Sequence, residues 1–437
     1  MSRSAEAKRD TIFALASGPG RAGVAVVRIS GPNACDALAL TEGDTEERKA
    51  SFRRLYDRTN GDRIDDAIVL LFRGPHSYTG ENVVEFQLHG SRAVLAALFE
   101  ALAALPGFRP AEPGEFTRRA VENGRLDLSR AEAIADLVSA ETDAQRRLAL
   151  EQYDGRLSHL CEAWRGRLIR ASAWIEAVID FSEEEIPKDA TKQSRSEITE
   201  LLTEIRMHLD DGNRGEILRE GFHVAVIGPP NAGKSSLVNA LAQRDVAIVA
   251  EQPGTTRDII EVRLDLSGFP IVLCDTAGLR ESTDKIEQEG VRRARARAEA
   301  ADLRLLVLDG TEPGSSMPGI EADLVVWNKA DIAISRSRAG LWISAKTGEG
   351  VADLITAIGK EAAERLTGNE APVVTRARHR HALEEAASGL SQALAAVDPE
   401  LAAEHLRLAL RAIGRITGRV DLDELLDVVF RDFCIGK

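Results

Sequence analysis

The chain has little that would hold it in a membrane, build a disulfide scaffold or form a zinc site. It has no run of about 18 apolar residues, which a transmembrane helix needs, and its first residues lack the apolar core of a signal peptide. We therefore expect a reduced, cytoplasmic protein without membrane attachment. Its four cysteines are scattered, without the spacing of metal ligands: Cys35, Cys161, Cys274 and Cys434.

The chain also lacks an excess of positive charge. Its formal net charge is −14, which argues against broad nonspecific binding to nucleic acid, although it permits a local basic patch. A hydrophobic content of 44% with 29% charged residues is ordinary for a globular protein. The 437 residues are enough for about three domains.

A complete phosphate-loop motif, G-x-x-x-x-G-K-[ST], is present at residues 228–235 as Gly-Pro-Pro-Asn-Ala-Gly-Lys-Ser. It lies between an apolar run at 222–227, typical of a buried strand, and residues 236–241, which start a helix. In this context backbone N–H groups bind a phosphate, Lys234 reaches the β and γ oxygens, and Ser235 ligates Mg²⁺. A single match can arise by chance, so its weight depends on the segments that follow.

Two later segments match the switch regions of a GTP-binding protein. Residues 255–258, Thr-Thr-Arg-Asp, lie in a polar stretch suited to a mobile loop. The predicted strand 269–274 ends in Asp-Thr-Ala-Gly at 275–278. Asp275 is placed to hold the Mg²⁺ shell, and the N–H of Gly278 can bond a γ-phosphate.

Two more segments match the guanine-binding motifs of a GTP-binding protein. The predicted strand 324–327 ends in Asn328, Lys329, Ala330 and Asp331, and the strand 341–343 leads into Ser344, Ala345 and Lys346. The carboxylate of Asp331 offers two acceptors for the N1–H and N2–H₂ donors of guanine, and 344–346 offer a backbone contact for the guanine oxygen. Each motif alone could be an ordinary turn, but five in order predict a GTP-binding domain.

Leu279 raises a question about mechanism, because many GTPases carry Gln after this motif to orient the attacking water. Leucine can neither donate nor accept a proton. Either the domain hydrolyses GTP poorly, or another group supplies the polar contact. The nearby charged candidates could equally be solvated loop charges: Arg257, Arg280, Glu281, Asp284 and Glu287.

The organisation of the chain predicts a multidomain protein. Short strands at 24–29, 67–72 and 83–88, with a helix at 92–105, indicate an α+β N-terminal domain. Long amphipathic helices follow, with apolar residues at steps of three or four between Leu157 and Val178. We predict an α+β domain and an all-α helical domain into which an α/β P-loop (Ras-like) GTPase domain is inserted. The predicted bounds are 1–125 for the N-terminal domain, 126–219 and 367–437 for the helical domain, and 220–366 for the GTPase domain.

Three further segments stand out by their composition or by their position in the chain. Residues 18–23, Gly-Pro-Gly-Arg-Ala-Gly, precede a strand and Arg28, and a tight turn is the simpler interpretation. Residues 112–119 and 123–128 could be a loop and a helix start. The chain ends in Phe-Cys-Ile-Gly-Lys at 433–437, directly after an apolar helix, which suggests a packed end.

These segments, with Tyr-Thr-Gly-Glu-Asn at 78–82, carry a resemblance to a known family. The chain resembles the MnmE (TrmE) family of tRNA-modification GTPases over essentially its whole length. The GTPase motifs alone would fit many related GTPases. An inserted GTPase domain combined with the terminal Cys-Ile-Gly-Lys is much more specific.

The resemblance implies a GTP hydrolase that acts as a homodimer with the flavoprotein MnmG (GidA), in a heterotetramer. The pair adds an aminomethyl or carboxymethylaminomethyl group at C5 of the wobble uridine, position 34, of tRNA. The one-carbon donor is 5-formyl- or 5,10-methylene-tetrahydrofolate, bound by the N-terminal domain, which also mediates dimerisation. Folate contacts are implied at Arg28, Glu85, Arg125 and Lys437. A role in modification is implied for Cys434, for which a buried structural cysteine is the alternative.

The resemblance also addresses the missing glutamine. It implies that Asn231 and backbone carbonyls of Ala250, Gln252 and Thr255 bind K⁺ near the β–γ bridge, and that Glu287 orients the water. Pro253 departs from the family pattern and removes an N–H from this loop. The implied Mg²⁺ ligands are Ser235 and Thr256. The implied nucleotide contacts are Asn231, Ala232, Gly233, Lys234, Ser235 and Ser236; Ala250, Glu251, Gln252, Pro253, Gly254, Thr255 and Thr256; Asp275, Thr276, Ala277 and Gly278; and the guanine segment.

An alternative is a GTPase switch of the ribosome-assembly type. In that case the N-terminal domain would be a docking module without folate chemistry. Folate binding that depends on Arg28 and Arg125 would discriminate between the two interpretations.

Overall fold

The structure is a computed structural model that describes residues 10–180, 188–244, 246–248, 261–275, 299–312, 321–368, 370–420, 426, 429–430, 433 and 436. The chain divides into two compact units. The first contains residues 1–135 and 414–437, and the second contains residues 136–413.

The first unit is built on a six-stranded mixed sheet in the order β3-β4-β5-β2-β1-β6. Alternating apolar side chains give the strands one buried face, since successive residues of a strand point to opposite sides. In β2, for example, Val27 and Ile29 are fully buried while Arg28 between them is not. The strands are β1 Thr11–Leu15, β2 Ala22–Ser30, β3 Ser51–Tyr56, β4 Arg63–Phe72, β5 Val83–Gly90 and β6 Phe108–Pro110.

Helix α1 and a 3₁₀ helix cover one face of this sheet, and Phe116 of α2 packs against Ile12 and Ala14 on the other face of β1. Leu98 and Leu102 of α1 pack into the core with Phe13 and Phe86 of the sheet. Ser91 caps α1 by accepting the N–H of Val94. The helical elements are a 3₁₀ helix at Ala34–Leu40, α1 Arg92–Ala103, α2 Glu115–Glu122 and α3 Leu128–Ser139, which crosses the boundary between the two units.

The last described residues of the chain belong to the first unit and pack within it. Gly114, at the start of α2, has φ 69°, and a Cβ there would lie 2.8 Å from the ring of Phe430. Gly436 is buried, and a Cβ at that position would lie 2.0 Å from the carbonyl oxygen of Leu15. Both glycines permit a close backbone approach that no other residue allows. This packing agrees with the packed end that the sequence suggests.

The second unit contains a seven-stranded sheet in the order β13-β12-β11-β7-β10-β9-β8. β7 pairs in parallel with β10 and β11, and β12 continues the parallel run, whereas β9 is antiparallel to β10. Helices α8 and α9 supply residues to its core. The elements are β7 Phe222–Ile227, α8 Lys234–Ala242, β8 Ala247–Ile248, β9 Glu261–Leu266, β10 Phe269–Asp275, β11 Leu303–Asp309, β12 Leu324–Asn328, a 3₁₀ turn Ala330–Ile332, β13 Leu341–Trp342 and α9 Val351–Leu366.

The second unit also contains long helices, which precede and follow the seven-stranded sheet in the sequence. Predicted apolar positions such as Trp164, Leu168 and Ala171 are indeed buried on one face of α5. The helices are α4 Asp143–Tyr153, α5 Arg156–Asp180, α6 Lys188–Leu209, α7 Arg214–Glu220, α10 Ala377–Ala395 and α11 Pro399–Thr417.

The two halves of the helical part meet although the GTPase fold separates them in sequence. α6 packs against α10, and Arg206 donates to the hydroxyl of Ser391. The fold is therefore multidomain, with an α+β N-terminal domain, a helical domain and an inserted P-loop GTPase domain. Within the described ranges, none of the helices has the length and apolar character needed to cross a bilayer.

One corner of the helical domain packs directly on the GTPase sheet. Leu148 of α4 is buried in the GTPase core, and the N–H of Ala144 donates to the carbonyl oxygen of Gly268 in the β9–β10 turn. Gln145 accepts the N–H groups of Glu141 and Thr142 and donates through Nε2 to the carbonyl oxygen of Arg219, 3.0 Å away. This side chain thus caps α4 and also holds the chain where it enters the GTPase domain.

Candidate functional site

The phosphate loop lies between the end of β7 at Ile227 and the start of α8 at Lys234. Its two flanking glycines are sterically required. A Cβ at Gly228 would lie 2.1 Å from the carbonyl oxygen of Val307, and one at Gly233 would lie 2.2 Å from Nδ2 of Asn328. Both also have positive φ, at 150° and 90°. The loop can therefore present its backbone N–H groups closely to an anion at the positive end of α8.

Lys234 is buried, and its ammonium lies over the phosphate loop. Nζ donates to the carbonyl oxygens of Gly228, at 2.9 Å, and Pro229, at 3.0 Å. When a nucleotide binds, the ammonium of Lys234 can donate these hydrogen bonds to phosphate oxygens instead of the two carbonyl oxygens. Ser235 and Ser236 are exposed in the first turn of α8, where a hydroxyl can ligate a metal ion. The loop therefore fits a nucleotide phosphate with its Mg²⁺.

Asn231 lies at the tip of the loop in the left-handed conformation, with φ 64°. Asparagine is one of the few residues other than glycine that adopts this conformation readily. Asn231 is exposed, whereas its neighbour Ala232 is fully buried. An exposed amide oxygen at this position fits a hard monovalent cation, for which oxygen ligands are suitable.

Asn328 connects the phosphate loop to the guanine-binding segments. Its Nδ2 donates to the carbonyl oxygen of Ala232 at 2.9 Å, and its Oδ1 accepts the N–H of Ala345 at 3.0 Å. Ser344 is buried and its hydroxyl accepts the N–H of Thr347. Asp331 and Lys346 are exposed at the same carboxyl edge of the sheet. The structure thus brings together segments that lie about a hundred residues apart in the chain.

Asp309, which the sequence analysis did not single out, also belongs to this edge. It ends β11, it lies beside Asn328 in the parallel pairing, and it binds the ammonium of Lys329. Burial by itself raises the pKa of Asp309, but hydrogen bonds from Lys329 and Thr311 outweigh that effect, so the pKa lies below its usual range. Its position at the end of a buried strand is the sequence signal that could have identified it.

Several predicted site residues lie outside the described residues. Asp275 ends β10, and only its backbone is described. Those outside are the switch-loop residues Ala250, Glu251, Gln252, Pro253, Gly254, Thr255 and Thr256, the residues Thr276, Ala277, Gly278, Leu279 and Glu287, and the terminal Cys434 and Lys437.

A second polar site lies on the sheet of the first unit. Arg28 of β2 and Glu85 of β5 face each other in the strand pairing, and their side chains form an ion pair at 2.8 Å. The guanidinium of Arg28 stacks over the ring of Tyr78, 4.9 Å from its centroid, and lies 5.9 Å from that of Phe116. A charged pair beside two aromatic rings suits a flat, polar heterocycle with a carboxylate-bearing tail.

Other residues fix the segment 78–82 at this site. The hydroxyls of Tyr78 and Thr117 are 2.7 Å apart, and Nδ2 of Asn123 donates to the carbonyl oxygen of Thr79. A Cβ at Gly80 would lie 3.2 Å from Cγ of Arg125, so Arg125 contacts the same segment. The structure therefore brings Arg28, Glu85 and Arg125 to one region, together with the stacking role of Tyr78 that the sequence did not reveal.

A largely buried ionic network includes Glu81 of the segment 78–82 and so lies next to this site. Glu115 accepts hydrogen bonds from Arg109 and from Arg119, and Arg119 also donates to Glu81 at 3.1 Å. Glu81 in turn accepts the hydroxyl of Ser30. Burial raises the pKa of Glu115, but the two guanidinium groups and a backbone N–H outweigh it and hold the pKa below its ordinary value.

The glycine-rich segment 18–23 behaves as a turn between β1 and β2. Gly20 has φ 122°, which requires glycine, and nothing lies within 4 Å of a Cβ at Gly18, Gly20 or Gly23. No close backbone approach is therefore made here.

Two family profiles match nearly the whole chain. The profile described as the N-terminus of the GTP-binding protein TrmE matches residues 11–125, and the one described as the MnmE helical domain matches residues 128–434. Among solved structures, the G domain of the T. maritima FeoB iron transporter is 26% identical, covering 33% of this chain and 98% of that one. The TM-score between the two is 0.26.

Several similar proteins match almost the full length of this chain. A tRNA modification GTPase MnmE from Parvibaculum lavamentivorans is 52% identical over 98% of this chain and 100% of its own. Proteins of the same name from Paramagnetospirillum magneticum, at 54%, and Rhodospirillum rubrum, at 53%, cover 98% of this chain and 100% and 99% of their own. The chain therefore belongs to the MnmE (TrmE) family of tRNA modification GTPases.

Proposed function

We propose that this chain is a potassium-stimulated GTPase, activated by dimerisation, that acts with the flavoprotein MnmG in tRNA modification. Together they install a (carboxymethyl)aminomethyl group at C5 of wobble uridine 34 from a tetrahydrofolate one-carbon donor. The protein acts in the cytoplasm as a homodimer and forms a heterotetramer with MnmG. Family membership supports the tRNA reaction. The observation that carries the GTPase assignment is the hydrogen bond from Asn328 to Ala232, which joins the phosphate loop to the guanine segment.

The predicted site residues divide the nucleotide between them. Asp331 accepts hydrogen bonds from the N–H donors of guanine, and the backbone at Ser344, Ala345 and Lys346 contacts its oxygen. Lys234 and the loop N–H groups bind the phosphates, and Ser235 with Thr256 would hold Mg²⁺. Asp275 supports this shell, and Gly278 contacts the γ-phosphate.

Hydrolysis requires a water aligned with the γ-phosphorus, from which the bond to the β–γ bridging oxygen breaks to leave GDP and phosphate. Glu287 orients this water through a second water, a role for which Leu279 lacks the polar atoms. When bound, K⁺ supplies positive charge near the bridging oxygen. Asn231 would hold it through its amide oxygen, with the backbone carbonyls of Ala250, Gln252 and Thr255.

The N-terminal site serves the folate. Glu85, with Arg28 paired to it, accepts hydrogen bonds from the N–H donors of the pterin, and Arg125 and Lys437 contact the carboxylates of the glutamate tail. The ring of Tyr78 under Arg28 supports this assignment, because it holds the guanidinium in a fixed plane. Cys434 is proposed to take part in the modification itself.

The GTPase part is tested by GTP turnover in K⁺ against Na⁺ at equal ionic strength. We expect faster turnover in K⁺ and a large loss in Glu287→Ala. Equal rates in the two ions would remove the potassium mechanism, and full turnover in Glu287→Ala would remove the role of that carboxylate.

The tRNA part is tested by nucleoside analysis of tRNA from a strain that lacks this protein. We expect the modified wobble uridine to disappear and to return with the wild-type gene. An unchanged nucleoside profile would defeat the tRNA assignment while leaving the GTPase intact. Absence of folate binding would favour a ribosome-assembly switch.

A further inference from the structure

Asp309 occupies a buried position at the end of β11, next to β12, the strand that ends at Asn328 of the guanine-binding segment. It is 5% exposed, and its partner across the parallel pairing is Asn328. The next residue, Gly310, donates its N–H to the carbonyl oxygen of Asn328, and a Cβ there would lie 2.6 Å from that oxygen. The end of β11 is therefore held tightly against the residue that joins the phosphate loop to the guanine segment.

The carboxylate of Asp309 has a fixed orientation. Its Oδ1 accepts both the N–H of Thr311, at 2.9 Å, and the hydroxyl of Thr311, at 2.6 Å. Its Oδ2 faces the ammonium of Lys329. Because one oxygen is fully used by Thr311, the other is aimed at this ammonium.

Lys329 precedes the 3₁₀ turn Ala330–Ile332 and has a left-handed backbone, with φ 64°. A residue with a Cβ keeps that conformation only where surrounding contacts enforce it. The ion pair with Asp309 is such a contact. It draws the long side chain back toward the end of β11.

Asp331 lies two residues after Lys329 and is exposed. Two cations, Lys329 and Arg336, lie close to it in the chain; each is hydrogen-bonded to another group, and Arg336 also attracts Asp331 electrostatically. Lys329 pairs with Asp309, and Arg336 pairs with Glu349 while donating to the carbonyl oxygen of Ala330 at 2.8 Å. A guanine base offers Asp331 only neutral N–H donors, so an ammonium released close by would compete strongly for the same carboxylate oxygens.

We propose that Asp309 is a positioning residue for guanine recognition, which holds the Lys329 ammonium away from Asp331 and so leaves that carboxylate to the base. This inference rests on the proposed GTP site. Asp309 itself touches neither the base nor the phosphates in this role. It acts by removing a competitor, in addition to any contribution to stability.

The preference for GDP over IDP measures this effect, because inosine lacks the 2-amino group that Asp331 accepts. In Asp309→Asn, we expect GDP affinity to fall about tenfold and IDP affinity to fall less, since a lost charge-assisted contact is worth about that much. The ratio of the two affinities therefore decreases. Titration of the full chain with each nucleotide gives both constants.

Removing the competitor should abolish the effect of Asp309→Asn. Lys329→Met keeps the apolar stem and removes the charge, so in that background Asp309→Asn is expected to leave the GDP-to-IDP ratio where Lys329→Met alone sets it. An unchanged ratio in Asp309→Asn, or an equal decrease in the Lys329→Met background, would overturn the proposal. If Asp309→Asn does not fold, Thr311→Val loosens the carboxylate and must lower the ratio in the same direction, and an unchanged ratio there overturns the proposal as well.

Asp323→Asn is the matched control. Asp323 lies in the same domain, accepts from Arg304 at 3.2 Å and pairs with Arg365, but it precedes β12 at the opposite end of the strand. We expect reduced stability with an unchanged ratio, and a lowered ratio would show that any lost ion pair has this effect. A wild-type protein without preference for GDP over IDP would refute the guanine site itself, whereas failure of potassium stimulation would leave this test intact.

Discussion

The side-chain amide of Asn328 donates to the carbonyl oxygen of Ala232 at 2.9 Å, across 96 positions of the chain. The same amide stands so close to Gly233 that a Cβ there would meet its nitrogen at 2.2 Å. Phosphate binding and base recognition are therefore one packed structure, and a change in either segment is transmitted to the other by direct contact.

Gly233→Ala should abolish nucleotide binding. The added methyl group would displace Asn328 and must also adopt φ 90°, so we expect GDP affinity to fall at least a hundredfold, about 3 kcal/mol. Calorimetric titration with GDP measures this change.

Gly359→Ala is the control in the same domain. Gly359 lies in α9, where a Cβ would make an ordinary contact at 3.6 Å with Leu266. We expect unchanged GDP affinity and a small gain in stability, up to about 1 kcal/mol, because alanine favours the helix. Equal loss of binding in both variants would contradict the steric argument.

Arg28→Ala should weaken binding of 5-formyltetrahydrofolate by at least tenfold. The substitution removes the guanidinium stacked on Tyr78 and leaves Glu85 without its partner, about 2 kcal/mol for a charge-assisted contact. Equilibrium dialysis with the folate measures the loss.

Arg63→Ala provides the comparison for that experiment. Arg63 forms an exposed pair with Asp66 on β4, and such surface pairs contribute little, about 0.5 kcal/mol. We expect its folate affinity to equal that of the wild type. A folate affinity that Arg28→Ala leaves intact would place the donor site elsewhere.

Glu115→Gln should destabilise the first unit at neutral pH by about 2 kcal/mol, because it leaves Arg109 and Arg119 without a buried carboxylate. The folded-state pKa of Glu115 is lowered, so its contribution is complete above the unfolded pKa near 4.5 and is lost as the pH falls through the folded value. As the pH is lowered below 5, the free energy of unfolding should therefore decrease less in the variant than in the wild type.

The four tryptophans give an internal control for this experiment. Trp164, Trp174, Trp327 and Trp342 all belong to the second unit. Circular dichroism should therefore report an earlier transition in Glu115→Gln while tryptophan fluorescence reports an unchanged one. A pH profile identical to that of the wild type would exclude Glu115 as the titrating group.

Gln145→Ala should loosen the contact between α4 and the GTPase domain. It removes the reciprocal cap with Thr142 and the bond to the carbonyl oxygen of Arg219, together about 1–2 kcal/mol. Urea unfolding followed by tryptophan fluorescence reports the change. Gln392→Ala, which removes an exposed bond to Ser388, should leave the midpoint unaltered, and equal shifts in the two variants would count against the cap.

Much of the fold follows from local pattern. The buried strands 222–227 and 324–327 are continuous apolar runs followed by polar turn residues, so both were predictable, and the face of α5 around Trp164 follows from its spacing. The helix after the phosphate loop begins at Lys234, two residues before the predicted start, because the left-handed Gly233 already turns the chain into it.

The sites were predictable only in part. Lys234, Asn328 and Asp331 follow from motif spacing, since each is fixed relative to the end of its own strand. The side-chain pairings of Asp309 and Tyr78 do not, because their partners Lys329 and Arg28 lie 20 and 50 residues away and no local pattern links them.

The sequence by itself determined which residues are the candidates to bind phosphate, guanine and metal, because that chemistry depends on residue type and on short spacing. Only the tertiary structure decided how these residues act together. Parallel pairing places Asp309 beside Asn328, and the antiparallel pairing of β2 with β5 places Arg28 opposite Glu85. Such pairings depend on sheet order and register, which arise from burial of the whole core and not from any single segment.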